Sequence, residues 1–276
     1  MAQMSIAAEA QLIDPRAAAM DSTTTSSAEL VMLQKKYGDL SGPDLLEKMI
    51  RYEFPGEVAV VSSFGAESAV LLHMVSEIDP TTPVIFLNTG KLFGETMRYR
   101  DRLQDKFGLT DLRSIAPHPD DLTLRDPNGV LWNDDEDACC FVRKVVPLER
   151  ALKHFRASIT GRKRFQTSAR SDMNAIEEEI VKGTSLDGAK VDLGTRFKIN
   201  PLLNMDLDNL KSYLKDYKLP VHPLVKDGYP SIGCMPCTSR VAEGGSYRDG
   251  RWASSGKDEC GIHMSSTPVH SDGDGI

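Results

Sequence analysis

The chain has 276 residues, 40% of them hydrophobic, which is enough for one large domain or one domain with appendages. Its 33 basic and 40 acidic side chains give a net charge of −7, which argues against non-specific binding to nucleic acid or an anionic membrane. No apolar run approaches the roughly 18 residues of a bilayer-spanning helix, and the N-terminus lacks the pattern of a secretory signal. We therefore expect a cytoplasmic protein that binds neither nucleic acid nor membrane.

Composition divides the chain into three parts. Residues 1–28 are rich in Ala, Ser and Thr and are predicted to be a disordered N-terminal segment. Residues 265–276, which end in Asp-Gly-Asp-Gly-Ile, are predicted to be a flexible tail. One domain, residues 29–264, lies between them.

Strand and helix patterns alternate along this domain. Short β-branched runs predict buried strands over 57–62, 82–89, 112–116 and 157–161. Helical spacing of apolar residues predicts helices over 66–78, 92–107, 140–154 and 207–217. This order predicts an α/β fold, a parallel sheet with helices on both faces.

Polar turns follow three of the predicted strands, at 62–65, 88–90 and 160–164. In parallel sheets ligands bind beyond the carboxyl ends of the strands, so these turns should converge on one crevice. Residues 220–261 are rich in Gly, Pro and Arg and are predicted to be a loop-rich C-terminal segment that folds back toward the sheet.

The five cysteines form two pairs and a single residue. Cys139 and Cys140 are adjacent, Cys234 and Cys237 form a Cys-x-x-Cys pair, and Cys260 stands alone. Four thiols can bind an iron–sulfur cluster or Zn²⁺, or they can be buried without a ligand. Adjacent helical side chains diverge by about 100°, which suits a cubane better than one tetrahedral ion. An odd cysteine count without a signal peptide indicates a reducing compartment.

Several basic residues suit an anionic ligand. Lys144 lies one helical turn after Cys140 and either approaches the thiolates or faces solvent. Arg248 and Arg251 can clamp an oxyanion, although such a pair is also common on solvated surfaces. Lys257 and His263 flank Cys260, and basic neighbours stabilise a nucleophilic thiolate.

The predicted crevice has its own candidate ligands. The turn from Ser62 to Gly65 is either a small phosphate or ribose loop or an ordinary strand-to-helix turn. The run Arg162-Lys163-Arg164, together with Arg170, adds positive charge at a strand end.

Together these motifs resemble the assimilatory adenylyl-sulfate reductases, the iron–sulfur branch of the sulfonucleotide reductase family. The matching pieces are Ser62-Ser-Phe-Gly-Ala-Glu67, Asn88-Thr-Gly90, Cys139-Cys-x-x-Arg-Lys-Val-x-Pro147, Ile159-Thr-Gly161 with Lys163, Arg164 and Gln166, Cys234-x-x-Cys237, Arg248-x-Gly-Arg251-Trp252, and Glu259-Cys-Gly-Ile-His263. Two positions depart from the pattern: Asn88 replaces a common Asp, and Lys163 replaces a common Arg.

The resemblance implies a Rossmann-like adenine nucleotide alpha hydrolase fold, also called ATP pyrophosphatase-like. It implies a [4Fe-4S] cluster on the four paired cysteines, and a nucleophilic Cys260 that takes the sulfonate of adenosine 5′-phosphosulfate. Thioredoxin, expected as a separate protein, would then release sulfite. The implied substrate-binding residues are Ser62, Gly65, Leu87, Lys144, Gly161, Arg164, Arg170, Arg248, Arg251 and His263. We also expect a homo-oligomer.

Three alternatives remain open at this point. The same reaction on 3′-phosphoadenosine 5′-phosphosulfate is the nearest, because the basic run 162–164 can accept a further phosphate. An iron–sulfur, ATP-dependent tRNA thiolase is more distant, since it expects a Ser-Gly-Gly-x-Asp-Ser loop and a basic chain. A zinc-binding interaction module would leave Cys260 unexplained.

Overall fold

A six-stranded sheet forms the centre of the computed structural model, which describes residues 22–184, 190–253, 257 and 262. The strands are β1 (Val58–Val61), β2 (Val84–Leu87), β3 (Leu112–Ile115), β4 (Ala157–Thr160), β5 (Ile176–Thr184) and β6 (Lys190–Ile199). Their order across the sheet is β3-β2-β1-β4-β6-β5. All neighbours pair in parallel except β5 and β6, which pair antiparallel at one edge. The predicted α/β fold is confirmed.

Nine α-helices accompany these strands in the part of the chain that the structure describes. They are α1 (Ser22–Tyr37), α2 (Gly42–Lys48), α3 (Ser68–Ile78), α4 (Gly94–Phe107), α5 (Pro119–Arg125), α6 (Leu131–Asp134), α7 (Glu136–Cys140), α8 (Val146–Leu152) and α9 (Leu207–Asp216). The expected domain boundary near residue 28 falls inside α1. Leu33 and Tyr37, one helical turn apart, are buried and attach this helix to the core.

The central strands are apolar on both sides because helices cover both faces. Val60, Ile85, Phe86 and Ile159 are each fully buried. Continuous apolar strands of this kind are typical of parallel sheets. Each such side chain contributes roughly 1.5–3 kcal/mol through removal from water, and this burial fixes the strand ends from which the functional loops emerge.

The hairpin of β5 and β6 is absent from the strands predicted by the sequence. β5 carries Glu177, Glu178 and Glu179 in succession, a pattern more typical of a solvated loop. Two of these carboxylates, those of Glu177 and Glu179, are paired with basic side chains in the folded chain. Arg196 of β6 donates to Glu179 through Nε at 2.9 Å, and Arg162 pairs with Glu177 at 2.6 Å.

The helix predicted over 140–154 is present, but it begins earlier and is irregular. α7 starts after Asp135, whose side chain accepts the Ala138 N–H at 2.9 Å, and a π-helical turn over Phe141–Val145 joins it to α8. Pro147 has no N–H to donate to the carbonyl of Arg143, so the regular α-helical bond is lost there.

Two contacts to α4 anchor the C-terminal segment. The Tyr99 hydroxyl donates to the Pro220 carbonyl at 2.8 Å, and Thr96 lies 3.1 Å from Nε2 of His222. The Leu224 N–H donates to Nδ1 of His222, so Nε2 carries the proton and donates to Thr96. Within the described residues, none of the helices has both the length and the apolar character needed to cross a bilayer.

The buried His222 should make the fold sensitive to acid. Burial lowers the pKa of His222 from 6.5 to about 4, so between these values the unfolded chain binds a proton that the folded chain does not. Stability contributed by this group is present above pH 6.5 and is lost as the pH falls toward 4. Between pH 7.5 and 5 the loss should be about 2 kcal/mol.

Urea denaturation at the two pH values measures this loss. In the variant His222→Asn, which keeps an acceptor for the Leu224 N–H, the pH-dependent loss should shrink by about 2 kcal/mol. An equal pH dependence in variant and wild type would contradict the assignment.

Candidate functional site

A cavity of about 220 Å³ opens at the carboxyl ends of β1, β2 and β4. The loops after these strands line it together with parts of the C-terminal segment. Eight of the ten residues that the resemblance implied as substrate-binding lie in its lining: Ser62, Gly65, Leu87, Lys144, Gly161, Arg170, Arg248 and Arg251. The crevice expected from the strand order is therefore present.

The loop after β1 has a strained and closely packed backbone. Phe64 adopts a left-handed conformation with φ 49° although it has a side chain, and that side chain is fully buried. The Ser62 hydroxyl accepts the Phe64 N–H at 3.2 Å. A Cβ at Gly65 would lie 3.2 Å from the Ile232 carbonyl oxygen, so a glycine permits the close approach of these two segments.

A buried ion pair forms one wall of the cavity. Glu67 accepts from the Lys163 ammonium through Oε2, and Gln166 donates to the same oxygen at 3.2 Å. Burial lowers the pKa of Lys163, which Glu67 only partly offsets. The other Glu67 oxygen, Oε1, is buried without a hydrogen-bond partner in the part of the chain that the structure describes. Tyr247 interacts with the Glu67 carboxylate: burial, followed by the charge of Glu67 and a hydrogen bond to it, raises the pKa of Tyr247 well above its usual value.

The cavity is strongly cationic although the whole chain is acidic. Among the described lining residues Glu67 is the sole carboxylate, and the cationic side chains are Lys144, Arg162, Lys163, Arg170, Arg248 and Arg251. Such an excess of positive charge in a partly enclosed space favours an anionic ligand. Apolar side chains, including Leu87 and Ile232, supply part of the remaining surface and suit a flat ring.

The two C-terminal arginines are held by Trp252 and by the segment that carries the second cysteine pair. The Arg251 guanidinium lies 4.3 Å from the centre of the Trp252 ring, and that of Arg248 lies 5.8 Å from it. The backbone N–H of Trp252 donates to the Cys237 carbonyl at 3.2 Å. The segment that carries Arg248 and Arg251 is thereby hydrogen-bonded to the segment that carries Cys234 and Cys237.

A second, smaller cavity adjoins the first and is lined by all four paired cysteines, Cys139, Cys140, Cys234 and Cys237. Burial raises the pKa of Cys237 to about 11 and that of Cys139 above its usual value. These thiols need a positively charged ligand to ionise at neutral pH. Within the described ranges no three His, Cys, Asp or Glu side chains are grouped closely enough to hold one metal ion.

Lys144 lines both cavities and connects them. Its ammonium lies 3.6 Å from the Cys140 sulfur, and the same side chain borders the larger, cationic cavity. Cys234 is also shared, and its sulfur lies 3.3 Å from the Thr89 hydroxyl. Of the two possibilities for Lys144, proximity to the thiols is the one that the geometry favours.

The predicted site residues are not all in the cavity. Arg164 is directed away from its described lining and donates to the Met173 carbonyl at 2.7 Å and to Asn204 at 2.7 Å. Cys260 and His263 lie outside the described residues. On either side of Cys260, Lys257 pairs with Asp137, and Ile262 lines the larger cavity.

Some lining residues were quoted in sequence motifs without a predicted role. Glu67, Gln166 and Trp252 are of this kind, Lys163 was considered only as part of the basic run 162–164, and Tyr247 carried no signal at all. A charged residue inside a glycine-containing loop motif, as with Glu67, is the signal that could have identified the first of them.

Residues 57–240 match the family described as the phosphoadenosine phosphosulfate reductase domain. The chain is 46% identical to the adenosine 5′-phosphosulfate reductase of Mesorhizobium japonicum, over 88% of this chain and 90% of that protein. It is 42% identical to the protein of the same name from Chelativorans sp., over 86% of this chain and 91% of that one. Among solved structures, the phosphoadenylyl-sulfate reductase of Candida auris, in a phosphate complex, superposes with a TM-score of 0.59. Its identity is 25%, over 78% of this chain and 97% of that chain.

Proposed function

Because the chain belongs to the phosphoadenosine phosphosulfate reductase domain family, we propose that it reduces adenosine 5′-phosphosulfate to sulfite and AMP in sulfate assimilation. One observation carries this proposal. A cationic cavity at the carboxyl ends of three parallel strands shares Lys144 and Cys234 with a cavity lined by four cysteines.

The proposed reaction has two steps. The Cys260 thiolate attacks the sulfur of the phosphosulfate, an S–S bond forms, and the S–O bond breaks so that AMP leaves with the electron pair. A thioredoxin thiolate then attacks Cys260 Sγ, sulfite leaves, and the second thioredoxin thiol restores Cys260. The two electrons come from the thioredoxin dithiol, which becomes a disulfide.

In this proposal, one set of residues in the larger cavity binds the adenosine and another set binds the phosphosulfate. Ser62, Gly65, Leu87 and Gly161 offer backbone groups and apolar surface to the adenosine. Lys144, Arg170, Arg248 and Arg251 neutralise the phosphosulfate and stabilise the charge that develops on AMP as it leaves. His263 adds a further proton or charge donor in this proposal.

The four paired cysteines suit a [4Fe-4S] cluster better than a single ion. Each iron of a cubane takes one thiolate, so its ligands lie further apart than those of one tetrahedral zinc ion. Four cysteines around a common cavity could supply one thiolate to each of these irons. When bound, the cluster would supply an electrostatic field, and Lys144 would sit between that field and the substrate.

The substrate without a 3′-phosphate is the better fit to this cavity. Glu67 places a buried carboxylate in the wall, and Lys163 and Arg162 are already paired with Glu67 and Glu177. A second phosphate near Glu67 would meet a like charge. The two relatives at 46% and 42% identity bear the name of the unphosphorylated substrate, which agrees with this choice.

Single-turnover sulfite release with reduced thioredoxin tests the proposal. We expect kcat/KM for adenosine 5′-phosphosulfate to exceed that for its 3′-phosphorylated form by roughly 10–100-fold, or about 1.4–2.7 kcal/mol. The variant Glu67→Gln, which keeps the shape and removes the charge, should narrow this ratio. Equal or reversed preference would move the substrate to the 3′-phosphorylated nucleotide. Absence of sulfite from either nucleotide, with the cluster loaded, would reject the reductase function.

A cytoplasmic location and a homo-oligomeric state remain predictions. Thioredoxin as the electron donor is part of the proposal, because a dithiol of this kind supplies both electrons and both thiolates that the second step needs. Replacing reduced thioredoxin with its disulfide form should stop multiple turnover.

A further inference from the structure

A buried ion pair between Arg143 and Asp126 lies next to the four-cysteine cavity. Its side chains are 7% and 2% exposed, and Arg143 donates to Asp126 Oδ2 through Nη2 at 2.5 Å and Nε at 3.1 Å. We infer that Asp126 is a positioning residue, which through Arg143 holds the two cysteine pairs at the separation that the cluster requires. This inference rests on the cluster of the proposed function.

Arg143 moves with the first cysteine pair. It belongs to the π-helical turn Phe141–Val145, which follows Cys139 and Cys140 without a break. Its guanidinium reaches out of that turn to two other segments, the α5–α6 connection and the loop after β2. A change in the position of the Arg143 guanidinium would therefore shift the first cysteine pair relative to these two segments.

The same guanidinium reaches the second cysteine pair through Thr89. Nη1 of Arg143 donates to the Thr89 carbonyl at 2.8 Å. The Lys91 N–H donates to the Thr89 hydroxyl at 3.2 Å, and that hydroxyl shares a hydrogen bond with the Cys234 sulfur, 3.3 Å away. The Met235 N–H also donates to the Lys91 carbonyl at 2.7 Å. A continuous chain of hydrogen bonds thus joins the segments that carry the two pairs.

Asp126 determines the direction of the guanidinium. It occupies the Nε and Nη2 edge, so that Nη1 is directed to Thr89, and its second oxygen accepts the Leu131 N–H at 3.0 Å. The segment around it is attached to the loop after β2 a second time, because Lys91 donates to the Gly129 carbonyl at 2.7 Å. Removal of the carboxylate would leave a buried, uncompensated guanidinium that has to rotate toward another partner.

A purely structural ion pair is the alternative explanation. Buried pairs contribute little net stability relative to apolar residues of similar volume, so stability alone explains this arrangement poorly. Groups that orient metal ligands indirectly typically change metal affinity by about 10–100-fold when they are replaced. The two explanations differ in how fast they predict that a correctly folded variant loses its cluster.

The test is the rate of cluster loss to an iron chelator, followed by visible absorbance in anaerobically purified protein. Asp126→Asn should lose the chromophore about 10–100-fold faster than wild type, with less iron and sulfide per chain at the outset. Arg143→Lys should behave in the same way, because a lysine keeps the charge opposite Asp126 but cannot also donate to Thr89. Melting of the apoproteins shows whether each variant folds.

Glu179→Gln is the matched control. Glu179 also neutralises a buried arginine, Arg196, with side chains 19% and 4% exposed, but it lies on the edge strand β5. The Glu179→Gln variant should lose its cluster at the wild-type rate. Wild-type retention in Asp126→Asn, or equally fast loss in the control, would overturn the inference. Wild-type protein without iron would overturn both the cluster and this inference, and that result is visible before any variant is made.

Discussion

Cys260→Ser is expected to lower the rate of sulfite release by more than about 10³-fold. Serine is close to cysteine in size, but its hydroxyl ionises far less readily than a thiol, and oxygen does not form the S–S bond of the proposed first step. The measurement is sulfite production from adenosine 5′-phosphosulfate with reduced thioredoxin, in variant and wild type at equal cluster content.

The control for this prediction is the state of the rest of the site. Cys260→Ser should keep the iron–sulfur absorbance and the affinity for AMP, because no cluster ligand and no described lining residue changes. Wild-type protein incubated with the nucleotide alone should gain one sulfonate group on the peptide containing Cys260, and the variant should not. Full turnover by Cys260→Ser would reject the proposed nucleophile.

Cys140→Ser should remove most of the iron from the purified protein, and sulfite release should fall with it. The Cys140 side chain is 5% exposed and lies 3.6 Å from the Lys144 ammonium, at the junction of the two cavities. A serine hydroxyl remains protonated at neutral pH and is a poor iron ligand. Iron and sulfide analysis with visible absorbance measures the cluster, and titration with AMP measures the larger cavity.

Val142→Ala is the matched control for that variant. Val142 is 1% exposed and belongs to the same irregular helix, so its truncation should cost roughly 1–3 kcal/mol of stability without removing a thiol. Iron content near the wild-type level is expected there. Iron retained at that level in Cys140→Ser would mean that Cys140 is not a ligand.

Local sequence patterns predicted the strands and helices that bury apolar side chains. β1, β2 and β4 lie within the predicted ranges, and α9 ends one residue before its predicted end. The hairpin of β5 and β6 was not predicted because its polar side chains become compatible with burial only when Glu179 meets Arg196 and Lys198. Those partners lie on the neighbouring strand, and no local pattern records them.

The residues of the candidate site were also predicted only in part from the sequence. Eight predicted binding residues reached the cavity because the carboxyl ends of parallel strands share one edge of the sheet. Arg164, in contrast, belongs to the same basic run as Lys163 but turns to the Met173 carbonyl. Successive side chains in an extended or turning segment point in different directions, so a cluster of charges in sequence does not determine which member faces a ligand.

The sequence by itself determined the chemistry available to this protein: two cysteine pairs, a lone Cys260, and loops that follow buried strands. These depend on residue identity and on short-range periodicity, which a linear chain carries in full. Only the tertiary structure decided that Lys144 borders both cavities, that Glu67 is buried in the wall of the larger cavity, and that Arg143 contacts both Asp126 and Thr89. These relations join residues far apart in the chain, and they arise only when packing removes the intervening water.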